Sequence, residues 1–115
     1  MTKNKQTIER YIDGFNKTDH EQILSCLTED VEWIIPGFFH THGKEEFDGQ
    51  IENDQFEGNP LVKIIRMTEE DDVVIVEGSV ESKLKGGKPF SAVFCDVFEL
   101  AETKIKKLTS YLHQT

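Results

Sequence analysis

No stretch of this sequence approaches the roughly 18 consecutive apolar residues that a membrane-spanning helix needs. Met1 to Lys5 lead into polar residues rather than the apolar core of a signal peptide, so a cytoplasmic protein without a membrane partner is expected. Cysteine is scarce. Cys26 falls in a helical pattern and Cys95 in a strand pattern, with no Cys-x-x-Cys and no Cys/His ligand spacing. Buried free thiols without a metal or redox role are therefore expected. Basic residues are outnumbered, 13 against 22 acidic ones, for a formal charge of −9. Such a charge keeps a protein soluble and repels phosphate backbones and anionic lipid surfaces, which argues against nucleic acid as a partner. A Gly-rich phosphate loop, a nucleophile elbow and a Ser/His/Asp order are also missing, and Gly86-Gly87-Lys88 reads as a hairpin turn. Repeats, low-complexity tracts and interdomain linkers are absent, and 115 residues with 37% hydrophobic content suffice for one domain, 1–115, with one core.

The patterns that are present divide the chain into helices followed by strands. Ile8, Tyr11, Ile12 and Phe15 fall at i, i+3, i+4 and i+7, predicting a helix over Gln6 to Lys17 in which Gly14 either allows close backbone approach or is tolerated near the end. Thr18 and Glu21 match a capping box, so a second helix is expected to follow and to end near Thr28, forming a helical hairpin with the first. Val31 to Pro36 reads as a strand stopped by its proline, and Lys44 to about Asn53 as a third helix, with Phe47 and Ile51 four apart. After Gly58-Asn59-Pro60 the period changes to that of strands, expected at Leu61 to Thr68, Val73 to Leu84, Pro89 to Leu100 and Ile105 to Leu112. Short turns make these four an antiparallel meander, with the Val31 strand added at an edge. The expected fold is therefore α+β: three N-terminal helices packed on a curved antiparallel sheet, a cone-shaped roll with a concavity between the layers.

Certain residues within this order carry a resemblance. They are Ile8-Glu9-Arg10-Tyr11-Ile12 with Phe15-Asn16-Lys17-Thr18-Asp19; Val31-Glu32-Trp33-Ile34-Ile35-Pro36-Gly37; Gly43-Lys44-Glu45-Glu46-Phe47; Val76-Glu77-Gly78; Phe94-Cys95-Asp96-Val97-Phe98; and Lys104-Ile105 with Leu108-Thr109-Ser110-Tyr111. Together they resemble the nuclear transport factor 2-like superfamily, in its SnoaL-like and ketosteroid-isomerase-like branch. That superfamily includes isomerases, polyketide cyclases, dehydratases and proteins that only bind ligands or partners, so the fold alone does not set the reaction. In its isomerases a helix tyrosine and a strand acid polarise the substrate oxygen while a second carboxylate moves the proton. The resemblance assigns the first two roles to Tyr11 and Asp96, but the third position holds Ile35, which cannot accept a proton.

Asp96 also stands out without the resemblance, because it interrupts the apolar run Phe94-Cys95-Asp96-Val97-Phe98, where an unpaired charge would be costly. Burial should raise its pKa and favour a neutral, donating acid; a plain structural carboxylate bonded to a tyrosine, a histidine or the backbone is the other reading. By strand alternation Ala92, Phe94 and Phe98 share its side, while Val93, Cys95 and Val97 point outward. Tyr11 is either the second donor or a core tyrosine, and Trp33 either lines the pocket or belongs to the core. His40 and His42, in a loop that the resemblance places at the cavity entrance, are candidates for the missing base or are inert surface residues. Their His-x-His spacing lacks a recognisable third ligand, so neither a metal nor a cofactor is expected. His20 and His113 read as surface residues.

Alternation and the resemblance add Phe15, Ile35, Val76, Gly78, Val80, Leu108, Ser110 and Leu112 to Trp33, Phe94 and Phe98 as the concave lining. Gly78 either leaves room for a ligand or marks a bulge. The expected activity is isomerisation, aldol-type cyclisation or dehydration of a small apolar carbonyl compound. A non-catalytic ligand-binding protein and a domain that only dimerises are the competing readings, and the apolar outer face predicts a homodimer packed through the sheet.

Overall fold

A computed structural model describes the whole chain, Met1 to Thr115. Helix α1 (Lys3–Lys17) begins at Thr2, whose hydroxyl accepts the Lys5 N–H, and buries the predicted stripe of Ile8, Tyr11 and Ile12. It ends at Thr18, whose left-handed backbone (φ 50°) turns the chain into α2 (His20–Ser25). The anticipated capping box does not form. Thr18 is occupied in closing α1, and Asp19 caps α2 instead, accepting the Gln22 N–H at 3.0 Å. Gly14 is needed where the two helices meet, since a Cβ there would stand 2.7 Å from Ile23 Cγ1.

Strand β1 (Leu27–Ile35) starts earlier than Val31, taking in residues read as the tail of a helix. The segment read as a loop contains a short strand, β2 (Phe39–His42), paired antiparallel with β1. Helix α3 (Gly43–Gly49) stops at its second glycine rather than continuing to Asn53. The rest of the chain is strand: β3 (Phe56–Glu70), β4 (Val73–Leu84), β5 (Pro89–Ala101) and β6 (Lys104–Gln114). β3 begins before Leu61 because it lies at the sheet edge, where a register shift between Glu57 and Leu61 accommodates Pro60.

The six strands form one sheet in the order β2-β1-β6-β5-β4-β3. α3 and the residues after it carry the chain from one sheet edge to the other, so the meander returns with β6 parallel to β1. The sheet is therefore mixed, and β1 is an interior strand rather than an edge. The α+β cone of helices over a curved sheet is otherwise the predicted one. Its core contains Ile8, Phe47, Val76, Phe98, Ile105 and Leu108, all buried. No helix is long and apolar enough to cross a membrane. Cys26 is buried and Cys95 half-buried, both as free thiols; burial is the first cause raising each thiol's pKa.

Candidate active site

Strand alternation along β5 turns Ala92, Phe94, Asp96, Phe98 and Leu100 inward and leaves Val93, Cys95 and Val97 on the other face. The ladder sets Asp96 between Val76 of β4 and Ser110 of β6. Only 9% of Asp96 is exposed. Burial pushes its carboxyl up to about 7 while the Ser110 hydroxyl pulls the other way, and no cation contributes. A carboxyl in such surroundings is neutral over much of the acidic range and can donate a hydrogen bond.

Tyr11 reaches the same region from α1. Its ring makes edge contacts with Phe15, Phe47 and Phe98 at centroid separations of 5.1, 6.3 and 5.4 Å. Burial drives the phenol pKa well above its ordinary value, and the negative charge of Asp96 adds to that. Trp33, buried on β1, stacks on Phe47 at 4.5 Å and donates its indole N–H to Ser110 Oγ at 3.1 Å. Ser110 thus joins the Trp33 indole to the Asp96 carboxyl, and Tyr11 lies near enough for the charge of Asp96 to bear on its phenol.

A cavity of about 300 Å³ opens farther along the concave face. Its apolar wall includes Phe56, Val62, Val80 and Phe90, and Gln50, Glu52, Asn53, Thr18 and Ser82 supply polar groups. Of the residues predicted from sequence as catalytic or as concave lining, only Phe15, Trp33 and Val80 line it. Asp96 lies six positions past Phe90, about 20 Å along an extended strand. Phe15 and Trp33, 6.1 Å apart in edge contact, mark the boundary: each faces the cavity, while Phe15 also touches Tyr11 and Trp33 bonds Ser110.

Phe94, Phe98, Val76 and Leu108 are buried inward-facing residues, and Ile35 packs half-buried against the same core. Gly78 has no room for a side chain, because a Cβ there would meet Phe94 Cζ and the Lys63 carbonyl oxygen, each at 2.5 Å. The Phe94 ring occupies that space. Leu112 is 49% exposed, since β6 runs on beyond its last pairing with β1, Ile34 with Thr109. His40 and His42 are not at the cavity entrance. They flank the buried Thr41 on β2, which turns them to the outer face, where both approach Glu32 of β1. The Thr41 hydroxyl itself has no hydrogen-bond partner. His20 bridges Asp48 and Glu52, and His113 is exposed.

Sequence reasoning missed the cavity wall given by β3. Phe56, Gly58, Pro60 and Val62 all line it, an i, i+2 row that was present in the sequence but was read as a breaker because of its glycine and proline.

The sequence profile of the SnoaL-like domain matches residues 8–108. Comparison with curated proteins gives no sequence match. Among solved structures the chain is similar to a nuclear transport factor 2-like protein of unknown function from Burkholderia pseudomallei, with TM-score 0.89 and 19% identity, covering 100% of this chain and 92% of that one. It is also similar to TerC co-crystallised with polyporic acid (TM-score 0.86, 22% identity, 95% and 90% covered). An M. tuberculosis epoxide hydrolase of the LEH-like kind gives TM-score 0.84 at 18% identity, with 96% and 83% covered. At these identities the similarities establish the fold.

Proposed function

The chain belongs to the SnoaL-like domain family, and from that premise we propose that it binds a small, largely apolar carbonyl compound in the cone and carries out an isomerase-, cyclase- or dehydratase-type step on it. The observation that carries this reading is Asp96, a buried carboxyl titrating near 7 without a cationic partner, beside the phenol of Tyr11. Ile35 occupies the usual base position, and His40 and His42 lie on the other face of the sheet, so Asp96 serves as both base and acid. A pKa close to the working pH suits one group to both transfers.

In its carboxylate form Asp96 takes a proton from the carbon next to the carbonyl, and the Tyr11 hydroxyl holds the charge that develops on oxygen. The resulting carboxylic acid then returns the proton. It goes to a different carbon in isomerisation, to the alkoxide left by carbon–carbon bond formation in cyclisation, and to a departing hydroxyl in dehydration. A ligand reaching Asp96 must displace the ring of Phe15 or that of Trp33, and moving Trp33 breaks its indole bond to Ser110. That barrier is the observation favouring a second reading, ligand binding without turnover.

Trp33 is the only tryptophan and lines the cavity, so its fluorescence reports both readings. Titration with 2-naphthol, an aromatic ring bearing one oxygen, should quench it saturably, with D96N and Y11F each weakening binding by about tenfold, the loss of a charge-assisted or strong hydrogen bond. If V80F abolishes binding while D96N and Y11F bind as the parent does, the protein is a binder and the catalytic assignment fails. The outer face exposes Ile65, Ile75, Val93 and Tyr111, which supports a homodimer packed through the sheet. Sedimentation at the 13.2 kDa of one chain would remove that assembly.

A further inference from the structure

His40 and His42 stand two residues apart on β2 and so project from the same side of the strand. The antiparallel register sets Glu32 of β1 directly opposite His42, with His40 one diagonal step away. The three side chains converge. Glu32 Oε1 lies 2.9 Å from His40 Nε2 and 3.5 Å from His42 Nε2, and one donor atom from each residue falls within 4.8 Å of the other two. The imidazole rings lie nearly parallel, 4.4 Å apart and inclined by 25°.

Ligand bonds of about 2.0–2.2 Å in a tetrahedral zinc site put neighbouring donor atoms roughly 3.4 Å apart, a value that lies between the two carboxylate–imidazole separations. We propose that Glu32, His40 and His42 bind a divalent transition ion of the zinc class on the outer face of the β1–β2 edge, with water completing the coordination. Two neutral imidazoles and one carboxylate match the ligand preference of such ions rather than of magnesium or calcium. The histidine side chains are 46% and 65% exposed and that of Glu32 35%, so an ion reaches them without moving the core. Lys107, the ladder partner of Glu32 on β6, is the cation facing the site, and its charge opposes the ion. The site lies on the opposite side of the sheet from Asp96, and its effect is to fasten the short edge strand β2 to β1.

The test uses the full chain, stripped with chelator and dialysed, and ZnCl2 titrated calorimetrically at pH 7.5 with CoCl2 as a spectroscopic substitute. One ion per chain is expected, with the intense visible absorption of low-coordinate cobalt and a zinc-dependent rise in Tm. H40A and H42A should each weaken zinc binding at least about tenfold, and E32Q should weaken it as well. H20A removes the separate His20–Asp48–Glu52 cluster and should leave binding unchanged. Absence of saturable binding would overturn the proposal. So would binding that survives in the H40A/H42A double variant with its circular dichroism intact, or binding lost in H20A.

Discussion

The two ends of the concave face are built differently. Toward Leu100, the side chains of Ile8, Phe47, Val76, Phe98, Ile105 and Leu108 are almost entirely withdrawn from water. Toward Phe90, the aromatic wall is only half-buried, and exposed Gln50, Glu52 and Asn53 form the rim. Asp96 lies beyond the cavity, on the side of the closed end, where burial alters its proton affinity. The cavity lies at the end where the structure has least to lose by staying open. Close packing supplies the surroundings that make an acid unusual, and a loosely covered end supplies access.

The strongest way to break this contrast is to truncate one large ring at each end. Phe47→Ala removes a fully buried ring that touches both Trp33 and Tyr11 and should lower unfolding stability by about 3–5 kcal/mol. Phe90→Ala, at a half-buried wall position facing only Phe56 among the rings, should cost about 1 kcal/mol, in keeping with its smaller change in burial. Urea unfolding of both variants measures the difference, and equal losses would erase the distinction between the ends.

Asp96 sharpens the contrast through pH. Its folded pKa of about 7 stands above the ordinary 3.8, so between those values the native state holds a proton that the unfolded chain releases. Stability therefore falls as pH rises from about 4 to 7 and is level above that, where the ionised group costs up to about 4 kcal/mol at roughly 1.4 kcal/mol per unit. Asp96→Asn removes the ionisation. The variant should gain a few kcal/mol at pH 8 and change little at pH 4, and a pH–stability curve parallel to that of the parent would contradict the buried acid.

How far the sequence disclosed this arrangement follows from the range over which each signal acts. The stripe Ile8–Tyr11–Ile12 and the alternation around Asp96 are periodic within one element, and each put its residues on the buried side. The parallel pairing of β1 with β6 depends on the path taken after α3, which no local pattern records. The same holds for the approach of Glu32 to His40 and His42, which is a product of hairpin register. The resemblance correctly indicated the family and the cone. It could not show that Phe15 and Trp33 separate Asp96 from the cavity, because rotamers and ring packing decide that. Gly78 was legible as special, but its reason, the ring of Phe94 lying over it, appears only across strands.

The smallest stability effect is expected at the rim, from His20. Its Nδ1 lies 2.5 Å from Asp48 and its Nε2 2.6 Å from Glu52, so the imidazolium links the start of α2 to α3 and to the segment Gln50–Asn53 that borders the cavity. Hydrogen bonds to Asp48 and then Glu52 raise its pKa above 6.5. The folded protein therefore binds this proton more tightly than the unfolded chain. The contribution is complete below about 6.5 and is lost as pH rises through the higher folded value. All three side chains are at least a third exposed, so the stabilisation should not exceed about 1 kcal/mol. His20→Gln should thus cost a little stability at pH 6 and nothing at pH 9. Because Glu52 lines the cavity, the same substitution should speed 2-naphthol exchange measured by stopped-flow Trp33 fluorescence at pH 6, and the two proteins should converge at pH 9. Rates that differ equally at both pH values would mean that the rim is held by packing rather than by this charge.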